Sequence, residues 1–77
     1  MNYHAFRKEF AKRIGIPPAR YRLLRRIDRA KSLVTASNRP IRDIADSLGY
    51  CDEYFFSRQF KRVTGTSPGE FRAKFSR

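Results

Sequence analysis

Polar and charged side chains recur at helical spacing between residues 53 and 62, opposite a pair of phenylalanines. If Phe56 and Phe60 face a core, the other side of such a helix is open to a ligand. Arginine can pair with guanine O6 and N7, glutamate can accept from cytosine N4, and tyrosine can contact a thymine methyl group or a phosphate. Base contact and phosphate contact stay open alternatives for each residue, because half or more of protein–DNA hydrogen bonds go to the backbone. The candidates are Glu53, Tyr54, Ser57, Arg58, Lys61 and Arg62.

A short helix and a tight turn precede this face. Apolar residues at helical spacing predict a helix over 41–48, in which Ala45 allows close crossing and after which Gly49 permits a left-handed turn. Asp52 is a suitable N-cap for the next helix. Two short helices joined in this way indicate a helix-turn-helix, whose second helix lies in the major groove, with an ordinary helical hairpin as the alternative.

The net charge favours a polyanionic partner. Eighteen Lys and Arg stand against seven Asp and Glu in 77 residues, a formal charge of +11. Duplex DNA is the preferred partner, and a non-specific module for RNA or anionic membrane is the alternative. So short a chain forms one small domain that buries only about 60% of its unfolded surface, which argues against a deep enzyme cleft.

No motif supports catalysis, a metal or a cofactor. The sequence has no Ser/His/Asp set, no glycine-rich phosphate loop and no zinc-ligand spacing, and Cys51 has no second Cys or adjacent His. No apolar run approaches the roughly 20 residues that a membrane helix needs, and the N-terminus has no secretory apolar core. We therefore expect a cytoplasmic protein that is not an enzyme.

Three further helices complete an all-α prediction. The first begins after Asn2, ends near Arg13 and buries Phe6, Phe10 and Ile14, with Gly15 as its stop. A long helix follows over 18–36, and a final helix after residue 67 turns Phe71 and Phe75 inward. The long helix has a basic flank, for which phosphate contact and simple solvation are equal alternatives: Arg20, Arg22, Arg25, Arg26, Arg29 and Lys31.

An internal repeat with an offset of 50 residues relates the first helix to the second helix of the central motif. Phe6 aligns with Phe56, Phe10 with Phe60, and each copy ends in Gly, Pro and an aromatic residue. The equivalent exposed face of the first copy adds four candidate DNA-binding residues: Tyr3, His4, Arg7 and Lys8.

These motifs resemble the DNA-binding domain of AraC/XylS-type bacterial transcription regulators, over essentially the whole chain. The matching pattern is I-x-x-I-A-x-x-x-G-[FY], then a capped helix with F-x-R-x-F-K, then G-x-S-P and an aromatic residue followed by Arg. The matching residues are Ile41, Ile44, Ala45, Gly49, Tyr50, Asp52, Phe56, Arg58, Phe60, Lys61, Gly65, Ser67, Pro68, Phe71 and Arg72.

The resemblance implies an all-α fold with a homeodomain-like three-helix unit. A long linker helix (18–37) would join that second helix-turn-helix (38–77) to the recognition helix of a partial first unit (1–17). It also implies recognition helices in successive major grooves of promoter DNA, contact with RNA polymerase, and a bacterial, nucleoid-associated location. We expect no small-molecule effector to bind this segment.

Overall fold

Five helices make up the part of the chain that the structure, a computed structural model, describes, residues 3–76. Within the first helix, the side chains of Tyr3, His4, Phe10, Ala11 and Ile14 lie outside that description, as does the cap predicted at Asn2. Residues 3–76 contain no strand, in agreement with the all-α prediction. The helices are α1 (Tyr3–Ile14), α2 (Pro18–Ala36), α3 (Ile41–Ser47), α4 (Glu53–Thr64) and α5 (Pro68–Phe75).

Local signals set the helix ends. α2 begins at Pro18, whose missing N–H costs nothing in a first turn, after extended backbone at Pro17. The Asp52 side chain accepts a hydrogen bond of 2.7 Å from the Phe55 N–H, which confirms the predicted cap of α4. Ser67 accepts from the Glu70 N–H at 3.2 Å and so caps α5.

The turn between α3 and α4 is a Schellman motif. Gly49 has φ +87°, the Gly49 N–H donates to the Asp46 carbonyl at 3.1 Å, and the Tyr50 N–H donates to the Ala45 carbonyl at 3.0 Å. These bonds satisfy two carbonyls at the end of α3. The turn requires a left-handed backbone conformation at position 49, which explains why a glycine stands there.

The core lies where α2, α3 and α4 meet. Leu23, Leu33, Ile41, Leu48, Val63 and Phe71 pack around it at partial burial. The ring of Phe60 lies 5.7 Å from that of Phe56 and 5.3 Å, edge on, from that of Phe71, which ties α5 to α4. The buried hydrophobic residues of this core are Ile27, Ala30, Val34, Ile44, Ala45, Tyr50, Phe56 and Phe60.

Arg72 joins α5 to the end of α2. Its Nε donates to the Val34 carbonyl at 2.9 Å, and its Nη2 donates to the Arg39 carbonyl at 2.7 Å. The Val34 carbonyl is among the last four of α2, which have no partner within the helix. Arg72 therefore both caps α2 and holds the loop before α3.

The repeat is confirmed by the helix bounds. α1 and α4 have 12 residues each, start 50 positions apart, and are followed by Gly15 (φ +88°) and Gly65 (φ +91°).

The two copies of the repeat differ in burial. Phe56 is enclosed, whereas Phe6 is 41% exposed, so the prediction that Phe6 is buried was wrong. The reason is that α1 packs chiefly against α2, while α4 is covered by α2, α3 and α5.

Phe75 also departs from its predicted burial. Its ring contacts Phe71 at 4.7 Å, but the side chain is 53% exposed because α5 ends at this residue and only Phe71 reaches the core. Among the described residues, no helix combines the length and apolar character needed to cross a bilayer.

Replacing Phe60 by alanine should lower the free energy of unfolding by about 3–5 kcal/mol, because it leaves a cavity in the aromatic core. Tyr54→Ala, on the opposite face of α4 and 77% exposed, is the matched control and should change it by less than about 0.5 kcal/mol. Urea unfolding followed by circular dichroism measures both. Equal midpoints for the two variants would show that the helix face has been misplaced.

Gly49→Ala should destabilise the domain by about 1–2 kcal/mol, the cost of left-handed backbone for a residue with a Cβ. An added Cβ would have no atom within 4 Å at Gly49 or at Gly69, but only Gly49 has a positive φ. Gly69→Ala in α5 should therefore be neutral or slightly stabilising. The same unfolding experiment applies, and equal losses in the two variants would refute a backbone origin.

Candidate nucleic-acid interface

The rotation of α4 about its own axis is fixed by its buried side. Phe56 and Phe60 point into the core, and Val63 packs at its border. Residues spaced from these by about half a helical turn must therefore face solvent. This is the geometry that the central motif predicted.

Four predicted candidates share this outer face. Tyr54, Ser57, Arg58 and Lys61 stand at i, i+3, i+4 and i+7, the spacing of neighbours along one helix surface. Arg58 and Lys61 are exposed, Tyr54 is the most exposed large hydrophobic residue of the described chain, and Ser57 is half-buried. Arg62 is exposed at the edge. The face thus presents a row of hydrogen-bond donors with one aromatic side chain, here named the α4 outer face.

Glu53 lies apart from this row. It is half-buried as the first residue of α4 and lines a shallow cleft that also contains Arg42, Asp43 and Asp46. A carboxylate in the first turn interacts favourably with the positive end of the helix dipole. Glu53 therefore has a local role in the helix besides its predicted contact with a base.

The first copy is only partly described. Arg7 and Lys8 are exposed on α1, while the side chains of Tyr3 and His4 lie outside the described part. Lys8 occupies the position that Arg58 has in α4, according to the 50-residue offset. On the same helix, Arg13 forms an exposed ion pair with Glu9 at 3.2 Å. The two exposed cations are thus equivalent in sequence to part of the α4 outer face.

Tyr50 is a structural residue whose role the sequence reasoning did not identify. Its hydroxyl donates to Gln59 Oε1, and its ring lies 5.0 Å from the ring of Phe56. The Arg26 guanidinium of α2 lies over the ring, 5.3 Å from its centroid, within the range of a cation–π contact. Tyr50 therefore connects α2, the turn and α4, and so helps to set the direction of the α4 outer face. An aromatic residue directly after the glycine of a Schellman turn was the available signal.

Positive charge is left largely uncompensated on the described surface. The ion pairs there include those of Arg13, Lys31 and Arg42, which are exposed and contribute little to stability. With a formal charge of +11 over the chain, the surface attracts polyanions over a range set by salt screening.

Comparison with known proteins gives the family. The sequence profile of the helix-turn-helix domain family matches residues 1–74. Among curated relatives, the arabinose operon regulatory protein of Salmonella typhimurium is 41% identical over 70 residues, which cover 91% of this chain and 24% of that protein. The helix-turn-helix type transcriptional regulator YisR of Bacillus subtilis is 38% identical over 64 residues, 83% of this chain and 22% of that protein. The chain thus spans about a quarter of the length of these relatives.

Solved structures agree in fold. The C-terminal domain of AraT, a response regulator from Geobacillus stearothermophilus, superposes with a TM-score of 0.95 at 25% identity, over 100% of this chain and 64% of that one. The DNA-binding domain of AdpA, solved in complex with a target DNA, has a TM-score of 0.90 at 24% identity, over 97% and 68% of the two chains. Profile match and relatives together show that this chain belongs to the helix-turn-helix family, as a DNA-binding domain of the AraC type.

Proposed function

We propose that this domain binds specific sites in duplex DNA by inserting α4 into the major groove, as part of a bacterial transcription regulator. The observation that carries the proposal is the α4 outer face, a row of donors held opposite a sealed aromatic core. A major groove about 12 Å wide admits one α-helix. The excess positive charge supplies affinity for the phosphate backbone around it.

Individual roles follow from side-chain chemistry. Arg58 donates to guanine O6 and N7, Ser57 hydrogen-bonds a base or a phosphate, and Tyr54 packs on a thymine methyl group. Lys61 and Arg62, one turn further along, hold backbone phosphates. Glu53 at the start of α4 accepts from cytosine N4.

The repeat extends the proposal to a second contact. We infer that residues 1–17 supply the recognition helix of a partial first unit, joined by the linker 18–37 to the complete unit 38–77. In the first unit α1 would face a neighbouring major groove, with Arg7 and Lys8 toward the DNA. From the sequence alone, we propose that Tyr3 and His4 lie on the same DNA-facing side of α1 as Arg7 and Lys8.

The wider role is proposed from the relatives. Two of them are named as regulators of transcription or of an operon, and for this chain we propose action at promoters in the cytoplasm, with contact to RNA polymerase. A role without catalysis fits the class of transcription regulators. We propose no effector site in this segment.

Selection of bound duplexes from a random pool tests the proposal as a whole. The proposal predicts recovery of one consensus sequence, because base edges are read directly. Capture of the pool without enrichment would instead support a non-specific basic module, the class to which the RNA and anionic-membrane alternatives belong.

Replacing Arg58 by alanine should cost about 1–3 kcal/mol on the selected duplex and relax preference at one base pair. Lys74→Ala on α5 is the control, since it also removes one exposed positive charge but lies outside the α4 outer face. Fluorescence-anisotropy titration of both variants against selected and random duplexes gives the comparison. Equal losses for Arg58→Ala on the two duplexes would make Arg58 a phosphate contact and remove it from base readout.

A further inference from the structure

A shallow, open cleft lies between the N-terminal half of α2 and the end of α3. Its volume is about 500 Å³, and Ser47 and Leu48 form the wall on the α3 side. The α2 side consists of residues at i, i+3, i+4 and i+7, which share one face of the helix. We name this the arginine cleft, after Arg22, Arg25, Arg26 and Arg29.

No acidic side chain balances these arginines within the cleft. None of the seven Asp and Glu residues of the chain is among its lining residues. The ion pairs found in residues 3–76 engage other cations, one of them Lys31 on the opposite face of α2. Four positive charges grouped without a counter-charge create a local potential that attracts an anion.

Two of the arginines already make contacts within the domain that restrict their side chains. The Arg26 guanidinium lies over the ring of Tyr50 at 5.3 Å, and Arg25 Nη1 donates to the Tyr21 hydroxyl at 3.3 Å. A side chain that is fixed before binding loses less conformational entropy when a ligand arrives. All four arginines are exposed. Their planar guanidinium groups match the oxygens of a phosphate in bidentate geometry.

The cleft continues toward α4. Arg22 and Arg26 also line a neighbouring cleft whose wall includes Gln59, on the flank of α4 that faces α2. A helix in the major groove has a phosphate backbone on each side, and packed helices lie about 8–10 Å apart. Arg22 and Arg26 thus flank α4 on its α2 side, where we expect one backbone strand to pass if α4 occupies the groove.

We propose that the arginine cleft binds neighbouring backbone phosphates on one strand of the duplex that α4 reads, which makes α2 a phosphate-binding element as well as a linker. The inference rests on the proposed function of α4 and extends it to a second helix. This contact contributes affinity and fixes the domain's position along the groove, and it carries no base preference.

The double variant Arg22→Gln/Arg29→Gln tests the proposal, with Lys31→Gln/Lys74→Gln as control. Both remove two positive charges, but the lysines of the control lie away from the cleft. In salt-titrated anisotropy, the slope of log affinity against log salt should become shallower by about 2 for the arginine variant. Its affinity deficit relative to wild type should therefore shrink about tenfold between about 50 and 200 mM salt, equally on selected and random duplexes.

Phosphate-ethylation interference gives the position of the contact. Wild type should show sensitive phosphates flanking the selected site, and the arginine variant should lose one group of them on a single strand. The single variant Arg29→Gln should lose some of these sensitive phosphates, and its slope of log affinity against log salt should become shallower by about 1. The lysine control should keep the full pattern.

The proposed function and the arginine cleft are overturned by different results. Absence of any preference of wild type for the selected duplex would remove the proposed function. A wild type that prefers the selected duplex, together with an arginine variant that matches the lysine control in slope and ethylation pattern, would overturn only the arginine cleft.

Discussion

The burial of one aromatic face of α4 is the interaction on which the other features depend. Phe56 and Phe60 are fully enclosed by α2, α3 and α5, and each such side chain contributes about 1.5–3 kcal/mol. A chain with a formal charge of +11 needs this apolar burial to offset repulsion among its cations. Because the buried face fixes the rotation of α4, it also decides which side chains meet the solvent.

The remaining contacts keep α4 in a defined place. The Schellman turn at Gly49 sets the direction in which the chain leaves α3, and Tyr50 immediately after it contacts both α4 and Arg26 of α2. Arg72 returns from α5 to the carbonyls of Val34 and Arg39. The short helix α3 is therefore held at both ends, although seven residues would be marginal alone.

Local signals made much of this fold predictable. The bounds of α2, the cap at Asp52, the stop at Gly49 and the 50-residue repeat all depend on residues close in the sequence or on simple comparison of segments. Burial of Phe6 and Phe75 was wrongly predicted, because helical spacing shows that a face is apolar without showing what covers it. The same limit applies to α1, which repeats the pattern of α4 but packs mainly on α2.

The long-range contacts could not be predicted from the sequence. Arg72 reaches carbonyls 33 and 38 positions away, and no spacing rule relates such residues. The grouping of four arginines beside Ser47 likewise depends on how α2 crosses α3. The α4 outer face itself was predictable because the phenylalanines define its opposite side. Whether each of its residues would contact a base or a phosphate depends on the path of the nucleic acid.

Entry of α4 into a major groove can be measured by methylation protection with dimethyl sulfate. Guanine N7 lies in the major groove and adenine N3 in the minor groove. On the duplex selected by the domain, we expect guanine N7 to be protected at the bound site and adenine N3 to stay reactive. Protection confined to adenine N3, or a bound duplex with every guanine N7 still reactive, would contradict it.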